Sequence, residues 1–295
     1  MSLRRDAHEW IHNAENGVGG FLRSLLSGIP WSERAETTES FELPAPASGT
    51  LRLHNPNGRT RVCGEDRDNI EVKALKCVRA ESEEAAKKLL EQIRIENTPK
   101  DGALGLEVGI PKRWNRRGHV FLEVRVPRGT RVEVSAVNGR IDIEGIRGHV
   151  SARSSNGSAN IADVIGDIEI ATSNAKVSCA CTRGRLVARS SNGKIVLEGH
   201  HGSIDASTSN GLITVSLDEL GDDGIQLATS NGRIALRLPD DVDADIDLRV
   251  DNGIIRNDRT LCSPAREGNG IVRGKLGVGG ALIKLRTSNG SISLR

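Results

Sequence analysis

Residues 150–167 read VSARSSNGSANIADVIGD, residues 168–185 read IEIATSNAKVSCACTRGR and residues 186–203 read LVARSSNGKIVLEGHHGS. Written under one another, these 18-residue lines put Asn156, Asn174 and Asn192 in one column, each behind Ser-Ser or Thr-Ser. Alternate positions are apolar twice per line: Val150, Ile168 and Leu186 with Ala152, Ile170 and Ala188, then Ala159, Val177 and Ile195 with Ile161, Cys179 and Leu197. A period of two marks a half-buried strand, so each line holds two short strands. The corner between them carries Gly148, Gly166, Gly184 and Gly202.

The Asn column extends through Asn138, Asn156, Asn174, Asn192, Asn210, Asn231, Asn252 and Asn289, with steps of 18, 18, 18, 18, 21, 21 and 37 residues. Asn-Gly between strands is also a hairpin signal, so a meander of hairpins is the alternative to a solenoid. Column identity favours the solenoid, in which like residues stack about 4.8 Å apart. Asn suits such a corner because it tolerates left-handed backbone and because its amide can bond the amides above and below. The fold class is therefore all-β, a single-stranded β-solenoid with 18–21-residue coils and one inserted α-helix. That helix is predicted over 81–95, where Ala85, Leu89, Leu90 and Ile93 share one face behind a capping Ser82. Its expected task is to cover the open first coil.

Three regions follow. Residues 1–48 form an N-terminal segment and linker, in which Ile11, Val18, Phe21, Leu22, Leu25 and Ile29 keep a helical period that Gly17, Gly19 and Gly20 interrupt. This suits either docking on the first coil or contact of residues 10–29 with a membrane or a partner; Ser32 to Ser48 reads as a linker. Residues 49–137 hold the first coils and the helix, and residues 138–295 the regular Asn-Gly coils. Val120 to Val126, followed by Val132 and Val134, reads as one partial unit leading into Asn138.

The sequence resembles the bacterial "putative adhesin" family of β-strand repeat proteins, domain of unknown function 4097, from about Leu51 to Arg295. The resemblance rests on Val124-Arg125-Val126-Pro127-Arg128-Gly129, Val134-Ser135-Ala136-Val137-Asn138-Gly139, the serial Ser-Asn-Gly corners and the closing Leu285-Arg286-Thr287-Ser288-Asn289-Gly290. It implies a β-solenoid and a noncatalytic role at the cell envelope.

Composition agrees with thin coils. Aromatics are 2% of the 295 residues, Tyr is absent and Gly numbers 33, so ring-lined pockets for small ligands are not expected. A net charge of +2 does not point to nucleic acid. No dinucleotide, phosphate-loop, serine-elbow or zinc-protease motif occurs; no catalytic residue and no cofactor is assigned. Five cysteines and no apolar leader or spanning run lead to a cytoplasmic expectation, with a membrane-peripheral or surface site as the alternative.

Two groups of side chains are candidate metal sites. Cys181 with His200 and His201 forms a conceivable zinc set, although neighbouring Cys179 reads as a buried small apolar residue. In the longer coils Asp218, Glu219, Asp222 and Asp223 would stack beside Asp240, Asp241 and Asp243, either sharing Ca²⁺ or forming a solvated acidic loop. Glycan binding by aromatic stacking is disfavoured, because Trp10, Trp31 and Trp114 fall outside the regular coils. Finally, the last unit stops after one strand at Arg295, so its bare edge is expected to pair with a second copy or a protein partner.

Overall fold

The computed structural model describes residues 33–100, 102–111, 118–265 and 270–295. Residues 10–29, on which the membrane-contact reading depends, lie outside them. Among the described residues the chain is almost entirely strand, with a single helix, and its sheet does not close on itself. It is a β-solenoid-like repeat.

Most of the stack is parallel. β2 (Thr50–Asn57) pairs with β8 (Arg131–Asn138), then follow β10 (Val150–Ser154), β12 (Ile168–Thr172) and the second halves of β13 (Val177–Ser190), β14 (Ile195–Asn210) and β15 (Ile213–Arg237). These strands form sheet face A. Face B is built in the same way from β3 (Thr60–Glu65), β9 (Ile141–Glu144), β11 (Ala159–Ile165) and the first halves of β13, β14 and β15. Inside face A the register stacks Leu51, Val132, Val150, Ile168, Leu186, Ile204 and Ile225, each 3% exposed or less. Each such side chain contributes about 1.5–3 kcal/mol by leaving water.

Stack order departs from chain order at both ends. After β15 the chain skips one layer to β16 (Ala244–Asn257) and turns back through β17 (Cys262–Ala265) and β18 (Ile271–Leu276). It then threads β19 (Ala281–Leu294) into the gap. β19 is parallel to β15 on one side and to β16 on the other, with Ile225, Ile283 and Ile246 in register. The C-terminal strand is therefore an interior strand, which corrects the expectation of an uncapped C-terminal end. Its physical basis is that Ile283, Leu285, Ile292 and Leu294 are fully buried. β18 covers the outer side of β16 antiparallel over Ala244–Arg249.

The N-terminal end repeats the device. β4 (Asn69–Ala80) leaves a gap beside β3 that β7 (Gly118–Pro127) fills, parallel to β3 and antiparallel to β4. β7 and β8 thus lie on opposite sides of the β2–β3 coil, so Val120–Val126 and Val132–Val134 belong to different layers, not to one unit. β5 (Arg94–Lys100) and β6 (Ala103–Gly109) form a hairpin whose second strand pairs with β2. β1 (Glu33–Pro44) pairs antiparallel with β4 along its whole length. The Glu- and Thr-rich composition of the stretch from Ser32 to Ser48 concealed this strand, whose Ala35, Phe41 and Leu43 pack on the core, so the linker begins only after Pro44. The helix, α1, spans Glu83–Leu90, is capped by Ser82 and buries Ala86 and Leu89; it packs on β1 and β4. Residues 94–95 already belong to β5.

The corner holds the layers together in two ways. Asn156 Nδ2 donates to Asn138 Oδ1 at 2.9 Å, and the chain of amides continues through Asn174, Asn192, Asn210, Asn231, Asn289 and Asn252 at 2.9–3.1 Å. At five corners the inward hydroxyl bonds the preceding layer, as Ser154 and Thr208 donate to the Gly139 and Gly193 carbonyls at 3.3 and 3.2 Å, whereas the buried Ser190 hydroxyl before Asn192 makes no such bond. The corner asparagines are not left-handed; the positive-φ non-glycines among the described residues are Asp163 and Cys181. Gly157 is required for another reason, since a Cβ there would overlap the Gly139 carbonyl.

Threading of β19 predicts a specific stability pattern. Leu285→Ala should cost about 2–5 kcal/mol in denaturant titrations, and removal of residues 281–295 should deprotect the amides of both 225–229 and 246–250 in hydrogen exchange. Unchanged protection at 246–250 would refute the inserted position. Asn192→Ala breaks two exposed amide bonds and should cost about 1 kcal/mol.

Candidate functional site

A second corner, between the face B and face A strands, carries the candidate metal ligands. Gly145, Asp163, Cys181 and Gly199 occupy corresponding places in successive coils, with φ of 75°, 50°, 52° and 62°. Left-handed backbone costs a non-glycine residue about 1–2 kcal/mol, and Cys181 adopts it with an exposed thiol. The next residues, Val164, Thr182, His200 and Leu217, form an inward column in register. His200 is 0% exposed, its Nδ1 lies 2.9 Å from Thr182 Oγ1, and its Nε2 is buried without a hydrogen-bond partner.

His201, one residue on, faces out to Glu219 at 3.2 Å and Asp218 at 3.5 Å. Alternation along the strand sends the two imidazoles to opposite faces. Cys181, His200 and His201 therefore do not converge, which corrects the zinc expectation.

The acidic set is separated as well, because β19 stands between the two loops. Asp218 and Glu219 engage His201, Asp240 pairs with Arg259 at 3.4 Å, and Asp243 Oδ1 accepts the Val278 N–H at 2.9 Å. Asp222, Asp223 and Asp241 are exposed. Among the described residues no three His, Cys, Asp or Glu side chains are placed to hold a metal ion. The shared-calcium arrangement is corrected by the layer that intervenes.

The outer surface of face A has a different character. Its outward middle row runs His54, Ser135, Arg153, Ala171, Arg189, Ser207, Ala228, Arg286 and Arg249 in register from β2 to β16. Between this row and the Asn ladder lies a column of serines: Ser155, Ser173, Ser191, Ser209, Ser230 and Ser288. Three shallow hollows of about 470, 400 and 550 Å³ follow the row, and neighbouring hollows share lining residues, Ser135 with Arg153 and then Ser190 with Ser207. They form one groove across the strands.

Acids on the flank brace the guanidinium groups. Arg189 Nη1 donates to Asp205 Oδ1 at 2.9 Å, Arg286 to Asp247 at 3.3 Å and Arg249 to Asp251 at 3.2 Å, whereas Arg153 makes no ion pair among the described residues. At the N-terminal end of the groove His54 Nδ1 lies 2.8 Å from Ser135 Oγ, and Arg52 meets Glu133 at 3.1 Å. The sequence does contain the signal for this row: Arg stands three residues before Asn156, Asn192, Asn252 and Asn289. The signal is faint because the intervening units carry Ala171, Ser207 and Ala228 at the same position.

The family model described as Toastrack DUF4097 matches residues 51–295. The chain belongs to this family. Among solved structures, a "putative adhesin" from Parabacteroides merdae resembles this Toastrack chain with a TM-score of 0.54 and 11% identity, over 90% of this chain and 97% of that one. Another "putative adhesin", from Bacteroides fragilis, has a TM-score of 0.45 and 10% identity over 91% and 100% of the two chains. At such identity the first likeness is one of fold. No curated protein matches the sequence.

Two measurements test the Toastrack corner. Burial lowers the His200 pKa from its ordinary value of 6.5. The unfolded chain binds the extra proton first, so this contribution to stability is intact above about pH 6.5 and is lost as pH falls from there toward the lower folded pKa. Urea midpoints at pH 7.5 and 5.5 should differ less in a Thr182→Val, His200→Leu double variant than in the parent protein. Cys181→Gly should raise stability by about 0.5–1 kcal/mol, the left-handed strain relieved less the glycine entropy cost.

Proposed function

We propose that this Toastrack protein is a noncatalytic interaction scaffold of the adhesin type, with the face A groove as its binding surface. The observation that carries the reading is the groove itself: open, spanning successive coils, and lined by hydroxyls and guanidiniums, with carboxylates concentrated at its N-terminal end in Glu107, Glu133 and Glu169. Such a surface suits an extended partner laid across many layers rather than a small molecule enclosed by aromatic walls. Parallel strands on both sides of each layer make it rigid, so little ordering cost attends binding. The adhesin names of its structural relatives favour a place at the envelope; no helix among the described residues is long and apolar enough to cross a membrane.

Full-length protein immobilised on beads should retain whole bacterial cells, and retention should fall when Arg189 and Arg286 are replaced by Ser. Retention equal to albumin-coated beads, or indifference to both substitutions, would overturn the reading.

Self-association is a second reading, and it now has a different location. The outer edge of Ile254–Asn257 in β16 carries no paired strand among the described residues, and Ile254 is 60% exposed there. Unpaired edges invite another strand. If copies join at this edge, Ile254→Lys lowers the mass measured by light scattering at high concentration; a parent protein already monomeric there excludes it.

A further inference from the structure

We infer that the face A groove binds an acidic polysaccharide, a chain of hydroxyl-rich sugars bearing carboxylates, laid along the stack axis. The inference rests on the interaction reading above and names its ligand class. Arg153, Arg189, Arg286 and Arg249 occupy one row, and no acid interrupts that row from β8 to β16. At about 4.8 Å per strand, Arg153 and Arg189 stand about 10 Å apart and Arg189 and Arg286 about 14 Å apart. The spaces between them are floored by Ala171, Ser207 and Ala228, which leave room for a chain to settle between guanidiniums.

Guanidinium forks read carboxylates by two parallel hydrogen bonds. Asp205 and Asp247 sit in the flanking row and hold Arg189 and Arg286 in fixed directions, so less side-chain freedom is lost on binding. The serine column supplies groups that both donate and accept, as sugar hydroxyls do. Other polyanions fit less well. Single-stranded nucleic acid needs stacking platforms, and the outward row contains no Phe, Trp or Tyr. A bilayer presents a plane, whereas these cations line a recess.

The test titrates the full chain with polygalacturonate, with neutral dextran, with a single-stranded DNA oligonucleotide and with phosphatidylglycerol vesicles. Polygalacturonate should bind best, weaken with added salt, and exceed dextran by about tenfold or more. Arg153→Ser, Arg189→Ser and Arg286→Ser together should weaken it about tenfold or more, while Arg237→Ser with Arg256→Ser, on face B, should leave it unchanged. Should the triple variant melt early, Arg153→Ser alone, at an exposed unpaired site, serves instead and should weaken binding about threefold.

Equal affinity for dextran, tighter binding of DNA or vesicles, or indifference to the face A substitutions would overturn the inference. Cell retention by the beads without polygalacturonate binding refutes this ligand class alone; loss of both refutes the interaction reading too.

Discussion

Every layer of this protein must lie one strand spacing from the next at the Asn corner, and that contact governs what the rest of the sequence can be. A Cβ at Gly157, Gly232 or Gly290 would overlap the carbonyl of the glycine one layer away. Asn then becomes useful for its amide, which donates to the layer before it and accepts from the layer after it, and not for an unusual backbone conformation. The hydroxyl of Ser154 or Thr208 bonds the same carbonyl row from inside. Three chemical devices converge on one line through the molecule, and they repeat because the geometry repeats.

This explains why the coil was legible in the sequence and the stack order was not. Register within a coil is written in alternation: Ile161, Cys179 and Leu197 fall on one face whichever layer comes first. Nothing in alternation says that Asn289 lies between Asn231 and Asn252, since all three satisfy the same corner equally well. The irregular step of 37 residues marked the place, but its physical content was an excursion through β17 and β18 long enough to leave a layer open and return to it. β1 was hidden differently. Glu and Thr at its outward positions resemble linker composition, while Ala35, Phe41 and Leu43 are too few to announce a strand. The candidate metal sets failed for the converse reason: proximity in sequence placed His200 and His201 together, and strand alternation drove them to opposite faces.

Filling skipped layers also answers the difficulty of finishing a parallel stack. A solenoid that ended in chain order would leave its last strand held by one neighbour only. Here the final strand is held by two, and the terminal layers are closed by antiparallel partners, β18 on β16 and β4 on β7. The glutamates of β1, at positions 33, 36, 39 and 42, add charge along the outermost strand at the other end, which discourages further addition.

The division between inward and outward columns bears on function. Inward residues are fixed by packing, and the corner by close contact, so neither can vary much without loss of the layer. Outward residues meet no such demand, yet in the row through Arg153, Arg189, Arg286 and Arg249 four guanidiniums recur at one register position over small residues. Stability does not require this, because exposed ion pairs such as Arg249 with Asp251 contribute little. A pattern that packing does not impose calls for another cause, and the proposed binding role of the groove supplies one.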